Sequence, residues 1–398
     1  MRRFFSAYTP DFPWYLLAVF LAGIGDGLWL HLQPLYIESL GARPEQVGAV
    51  LGLAGVAVIF VYLPSGWLVD RGRRKLVLQA SWAVTILGLS VAAVAPDWRW
   101  AVPGLALYLL ASFARPALSG QVAAMADARH IGRAFAISST AWLLGSLISP
   151  AAGGWIGQAV SLRAVYGVSA VIYVFSFLCL GRLRAAPAAG QARLFRVRHL
   201  LTRRAFAQQL LVITLITFAL NLGLALAPNY LRAAKGLAVQ SVGELGTVAA
   251  LGSMTLTLLV GQLAAGRRLA LLVPQAAVLA ALGLLLAAPP APGAIHPLLF
   301  AAYFLRGGED ALWAPIAGRV TASLPPEARG LGFGLRDTFM RVALVAAPFT
   351  AGQLFQRGPE WPLYASAGAL GLTMVLTLTL PRRPAPVVVE PWTDPAAK

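Results

Sequence analysis

Little in this chain can do covalent chemistry. A single cysteine, Cys179, excludes an internal disulfide. It stands in an apolar run, where a buried bystander is a better account than a reactive thiol. Four histidines, His31, His130, His199 and His296, are scattered and form no metal-ligand spacing with cysteine. The absence of a Gly-x-x-x-x-Gly-Lys-Ser/Thr loop excludes ATP hydrolysis by this chain. No Gly-x-Ser-x-Gly nucleophile elbow is present. The expectation is a protein that is not an enzyme, needs no cofactor and holds no metal.

Charge is scarce as well. Charged residues make up 12% of the 398, where a soluble domain carries about 25%. Hydrophobic residues reach 58%, with a mean hydropathy of +0.71. Such an excess can be buried only in lipid. The net charge of +17 would ordinarily suggest nucleic acid. Here the arginines cluster in short loops between apolar runs, which points to membrane topology and away from nucleic acid.

Runs long enough to cross a bilayer, about 20 residues each, recur twelve times. They fall near 13–36, 46–69, 76–95, 101–125, 133–157, 164–181, 207–231, 242–265, 269–289, 297–320, 331–355 and 361–380. The first follows Arg2-Arg3 as a signal peptide would, but continues past Asp26 and is too long for a cleaved segment. With the N-terminus inside, the cytoplasmic segments hold 22 of the 32 basic residues. Only Arg43, Arg99, Arg163, Arg232, Lys235 and Arg357 fall outside, and Arg115, Arg306, Arg336 and Arg341 lie within runs. This asymmetry places both termini in the cytoplasm of a cell with an inner (cytoplasmic) membrane. The organisation is a six-helix bundle over 1–182, a basic cytoplasmic linker over 183–206, a second bundle over 207–381 and a disordered tail over 382–398.

The two halves repeat one another. Pro34-Leu35-Tyr36 matches Pro228-Asn229-Tyr230, and Val47-Gly48 matches Val242-Gly243. Gly66-Trp67-Leu68 matches Gly261-Gln262-Leu263, and Phe113 with Arg115 matches Phe304 with Arg306. Pro150 with Gly153-Gly154 matches Pro348 with Ala351-Gly352. The matches occur in order, at offsets of about 191–198 residues. Internal repeats of this kind build alternating-access carriers.

The segment Gly66-Trp67-Leu68-Val69-Asp70-Arg71-Gly72-Arg73-Arg74-Lys75 is a charged turn between two membrane-length runs. It resembles the Gly-x-x-x-Asp-Arg/Lys-x-Gly-Arg-Arg/Lys turn of the major facilitator superfamily, one residue shorter. The resemblance covers the whole chain: twelve helices as six plus six, a long central loop, and this turn after helix two. It implies an all-α membrane fold of two pseudo-symmetric six-helix bundles. It also implies a gating role for Gly66, Asp70, Arg71 and Arg74, in which Asp70 holds the cytoplasmic side closed. Helix five carries Gly145-Ser-Leu-Ile-Ser149-Pro150-Ala-Ala-Gly153-Gly154. This is similar to the signature of that family's exporters, with serine replacing the second glycine. Small residues at this spacing let two helices approach closely, and Pro150 bends the helix.

A charge in mid-bilayer is expensive and by default marks a pathway or a pair. Asp26 lies near the middle of helix one and Arg115 near the middle of helix four. Arg306, Glu309 and Asp310 share a face of helix ten at i, i+3 and i+4. Arg336, Asp337 and Arg341 lie on helix eleven. One reading pairs Glu309 and Asp310 with Arg336 and Arg341. The other gives at least one acid a proton to carry, and Asp26 is the best candidate, because in the family helices one, four, seven and ten line the cavity. Asn221, Asn229, Trp29, His31 and Gln33 are further residues that could meet substrate.

The expectation is a monomeric secondary transporter in the lipid bilayer, moving a small organic molecule outward with protons as the coupling ion. The alternatives are proton-coupled uptake of an organic anion or sugar-like nutrient, and a non-transporting sensor or assembly subunit with the carrier fold.

Overall fold

The computed structural model describes residues 8–59, 74–127, 130–184, 204–263, 268–290, 292, 294–324 and 329–381. The turn residues Gly66, Asp70 and Arg71, most of the linker 183–206 and the tail 382–398 lie outside the described residues. Apart from one isolated bridge between Tyr8 and Ala126, the described residues contain no strand.

Twelve helical segments follow in order. They are α1 (Phe12–Ser39), α2 (Pro44–Ile59), α3 (Arg74–Ala93), α4 (98–124), α5 (Ile131–Ala159), α6 (Leu162–Gly181), α7 (204–235), α8 (Val239–Gln262), α9 (Arg268–Ala287), α10 (297–323), α11 (Arg329–Phe355) and α12 (Trp361–Thr379). Among the described residues, nine are long and apolar enough to cross a membrane. The other three are α2, which runs to the edge of the described residues, and α4 and α10, which are broken. Helices are the expected solution, because hydrocarbon offers the backbone no hydrogen-bond partner outside the segment. Serine and threonine hydroxyls are satisfied in the same way: Ser169, Thr214 and Thr217 each donate to the carbonyl four residues earlier. Ser161 caps α6 by accepting from the Ala164 N–H at 3.1 Å, and Asp97 caps α4 through the Arg99 N–H at 2.8 Å.

The chain forms two compact units. The first gathers Met1–Gln191, Leu231–Thr247 and Pro292–Ala294; the second gathers Ala192–Tyr230, Val248–Ala291 and Ile295–Lys398. Inside them the sequence repeat becomes a repeat of contacts. Tyr36 of α1 donates to the Ala92 carbonyl of α3, and Tyr230 of α7 donates to the Leu285 carbonyl of α9 at 3.1 Å. Ser176 of α6 donates to Ala18 O of α1, and Ser366 of α12 donates to Ala219 O of α7, both at 2.6 Å. Lys75 at the start of α3 reaches Gly181 O at the end of α6, at 3.0 Å. Arg268 at the start of α9 likewise reaches Leu378 O at the end of α12. Both cations lie where a helix C-terminus carries partial negative charge. Gly41 and Gly236 adopt φ of 90° and 71° just past α1 and α7, a left-handed turn open to glycine without strain.

The breaks repeat too. Helix α1 has a 3₁₀ turn at Leu30–Leu32 and α4 one at Ala111–Ala114. Helix α7 is split between Leu224 and Ala227, and α10 at Gly307 and Leu312. The interrupted helices are thus the first and fourth of each half. Interruptions at corresponding positions of two repeats are where a carrier builds its site.

Candidate functional site

Asp26 is held on four helices of the first unit. It is only 8% exposed, on α1. Its Oδ1 accepts from the Tyr173 hydroxyl of α6 at 2.6 Å and from the Tyr108 hydroxyl of α4 at 2.8 Å. Its Oδ2 faces the Trp142 indole N–H of α5 at 3.4 Å. These three donors come from three other helices. Hydrogen bonds to a carboxylate are the strong kind, and three of them offset much of the cost of burial.

Small residues make this approach possible. A Cβ at Gly25 would stand 2.8 Å from the Tyr173 ring, so only glycine lets that phenol reach the neighbouring Asp26. On the α5 side, a Cβ at Gly23 would strike the Trp142 carbonyl, and one at Gly27 would strike Ser149. From α5, Gly145 lies against Phe20 and Ile24, and Gly153 against the Leu28 carbonyl. The helix-five motif therefore packs its Gly145, Ser149 and Gly153 face onto Gly23 and Gly27 of α1, with Trp142 at its end pointing to Asp26. Gly154 faces the other way, against Gln240 and Gly243 of the 231–247 segment in the same unit, and Pro150 and His31 meet Gly246 there. Trp29 is 1% exposed, its ring between Tyr108 and Tyr166 at centroid distances of 4.6 and 5.1 Å. Arg115 opens the second piece of α4, immediately after its 3₁₀ turn. Arg74 opens α3.

The second unit has its own charged site at the breaks of α10. Arg306 ends the first piece, and Glu309 and Asp310 occupy the short middle piece Gly308–Ala311. The Arg306 guanidinium lies 5.3 Å from the Tyr303 ring centre. Arg306 and Asp310 are the charges acting on Glu309. Asp310 Oδ2 accepts from the Ser253 hydroxyl of α8 at 2.7 Å. On α11, Asp337 is bridged by the preceding residue, Arg336, whose Nη2 and Nε lie 2.6 and 2.9 Å from Oδ1. Arg341 follows one turn later. Asn221 spends its amide on the Thr217 carbonyl of its own helix.

The sequence reading missed Tyr108, Trp142 and Tyr173. Their only advance signal was polar aromatics in the middle of apolar runs. It also missed Arg319 of α10, a fully buried arginine that donates to the Pro381 carbonyl at 3.2 Å. The expectation had counted that arginine among the cytoplasmic cations.

A pseudo-repeated bundle with interrupted helices and buried carboxylates defines a membrane carrier. The profile of the Major Facilitator Superfamily matches residues 15–307 and 210–397, and the chain belongs to that family. It is 29% identical to the multidrug resistance protein MdtG of Salmonella paratyphi A over 168 residues, 41% of each chain. With MdtG of Escherichia coli O1:K1 / APEC it is 27% identical over 169 residues, 40% of this chain and 41% of that one. The alignments thus span about two fifths of these relatives' length. Among solved structures, a point mutant of the nucleoside transporter NupG superposes with a TM-score of 0.79 at 15% identity, covering 93% of this chain and 99% of that one. An inward-facing, occupied bacterial homolog of the human lysosomal transporter Spinster gives 0.67 at 14% identity, covering 93% of each.

Proposed function

We propose that the protein is a proton-coupled exporter of small organic molecules, working by alternating access in the cytoplasmic membrane with both termini inside. The observation that carries this reading is the Asp26 site: one buried carboxylate, three donors, and donors drawn from three different helices. A carboxylate whose donors can separate has two settings. Held by the phenols it stays ionised; freed of them in an apolar surround it takes a proton. Coupling follows when the helix movements that move the donors also move the substrate. The helix-five motif and the likeness to MdtG favour outward transport. Asp70, near Arg71 and Arg74 in sequence, is assigned the cytoplasmic gate, and Arg115 and the charges on α10 and α11 are each assigned to contact with substrate.

Membrane segments rich in glycine and alanine and poor in polar groups suit lipophilic cations. Arg115 and Arg306, at equivalent repeat positions, favour a second reading, proton-coupled uptake of an anion. The two separate in inside-out vesicles. With an acidic lumen, the exporter accumulates ethidium and does so only while the proton gradient lasts. Asp26→Asn abolishes that accumulation, yet leaves ethidium counterflow. Gradient-linked movement of benzoate, with no response to ethidium, would overturn the assignment in favour of uptake.

A further inference from the structure

Two polar groups near Asp26 are buried among aromatic rings and have no hydrogen-bond partner among the described residues. They are the indole N–H of Trp29 and the phenol of Tyr166, in side chains each 1% exposed. Leaving such a group unpaired costs about 1–3 kcal/mol, so native proteins satisfy it, often with an internal water. The two rings are in contact, with centroids 5.1 Å apart, and Tyr166 stacks in turn on Tyr36 at 4.2 Å. Trp29 lies one turn along α1 from Asp26, its ring edge-on to Tyr108, a donor to Asp26. Tyr166 lies two turns along α6 from Tyr173, the other phenolic donor, about 10 Å along the axis. Tyr36 stands near the end of the bundle where Arg163 is exposed and donates to the Pro96 carbonyl, and the Arg163 charge acts on it.

We propose that a short file of waters, anchored by Trp29 Nε1 and Tyr166 Oη, joins the Asp26 carboxylate to the Tyr36 end of the first unit and supplies its protons. The inference rests on the reading of Asp26 as the coupling carboxylate. In the transfer, Asp26 Oδ1 takes the proton of a donating phenol. That phenol is reprotonated by the neighbouring water, and the water by the next member toward Tyr36. One O–H bond forms and one breaks at each step, and every phenol ends neutral. Trp29 only donates; it holds the file and passes nothing. The titratable groups facing the path are Tyr108 on α4, Tyr173 and Tyr166 on α6, Tyr36 on α1 and Arg163 at the α6 entrance. This route enters through the bundle itself and is separate from whatever the substrate uses.

Two measurements on the full-length protein test it without a substrate. In X-ray radiolytic footprinting, hydroxyl radicals made from bound water should label Trp29 and Tyr166 despite their burial. No labelling there overturns the proposal, whatever the variants do. In time-resolved infrared spectroscopy after a pH jump, the carboxyl band missing from Asp26→Asn belongs to Asp26. Its rise should slow at least about tenfold in Tyr166→Phe and in Trp29→Phe, since a positioned proton relay contributes that much or more. Labelled residues with an unchanged rise would make the waters structural and overturn the relay. A wild-type spectrum with no Asp26 band would sink the coupling assignment itself.

Discussion

Asp11, the residue before α1, and Asp26, within it, lie about 22 Å apart along the helix axis, and each carboxylate answers burial with donors. Asp11 precedes α1 and lies outside the membrane span. Burial pushes its carboxyl up, but the Arg184 N–H at 2.8 Å, the Thr9 hydroxyl and its own N–H together hold it below the ordinary value. Because the folded group is the stronger acid, its contribution to stability is fully present above the unfolded value, about pH 3.9. That contribution disappears as pH falls through the lower folded value. Asp11→Asn should therefore lower the melting temperature in detergent at pH 7 and leave less acid-dependent loss below about pH 4. Equal pH profiles for the two proteins would show that Asp11 does not tie the ends of α1 and α6 together. Asp26 needed the fold to be understood. Its charge was visible in the sequence, but its donors lie 82, 116 and 147 residues away. A tyrosine in an apolar run reads equally well as lipid-facing or core, so nothing local marks it as a ligand of a carboxylate.

At the scale of elements, the apolar runs gave the segments because lipid imposes one length and one backbone solution. The breaks in α1, α4 and α7 had a signal that the sequence reading passed over: Pro34, Pro116 and Pro228 each open the piece after a break, and the backbone bond each cannot make would have gone to Leu30, Ser112 and Leu224. Their cause is local, since a proline has no N–H to give the carbonyl four residues before it. The serine ties between helices of one unit make a measurable pair. Ser176 and Ser366 each donate to a backbone carbonyl at 2.6 Å, but Ser176 also accepts the Trp82 indole N–H at 2.7 Å. Ser366→Ala loses one hydrogen bond, about 0.6–1 kcal/mol. Ser176→Ala loses that bond and strands a buried indole, for about 1–3 kcal/mol more. Thermal unfolding should thus rank Ser176→Ala as the more damaging. The reverse order would mean that the Trp82 contact carries no weight.

At the scale of the whole molecule, the proposed proton coupling must be assigned to one half. Each half carries acid in a membrane segment: the buried Asp26 on α1, and Glu309 with the exposed Asp310 on α10. Their surroundings differ in kind. Asp26 accepts from Tyr108, Trp142 and Tyr173, on α4, α5 and α6, so in the proposed cycle a movement of those helices relative to α1 separates it from these donors. Glu309 is faced by Arg306 on its own helix, and Asp310 has Ser253 of α8. Arg306 and the two acids thus form one charged cluster at the broken part of α10. A cluster of both signs on one segment suits a contact with a charged substrate. Asp26→Asn should therefore abolish gradient-driven transport in proteoliposomes while leaving exchange down a substrate gradient. Glu309→Gln and Asp310→Asn should weaken both processes together, as loss of binding does. If Asp26→Asn keeps full gradient-driven activity and Glu309→Gln alone loses it, the proton rides on α10. If all three retain it, no carboxylate among them is the carrier, and the phenol and indole donors around Asp26 serve only to bury a structural charge.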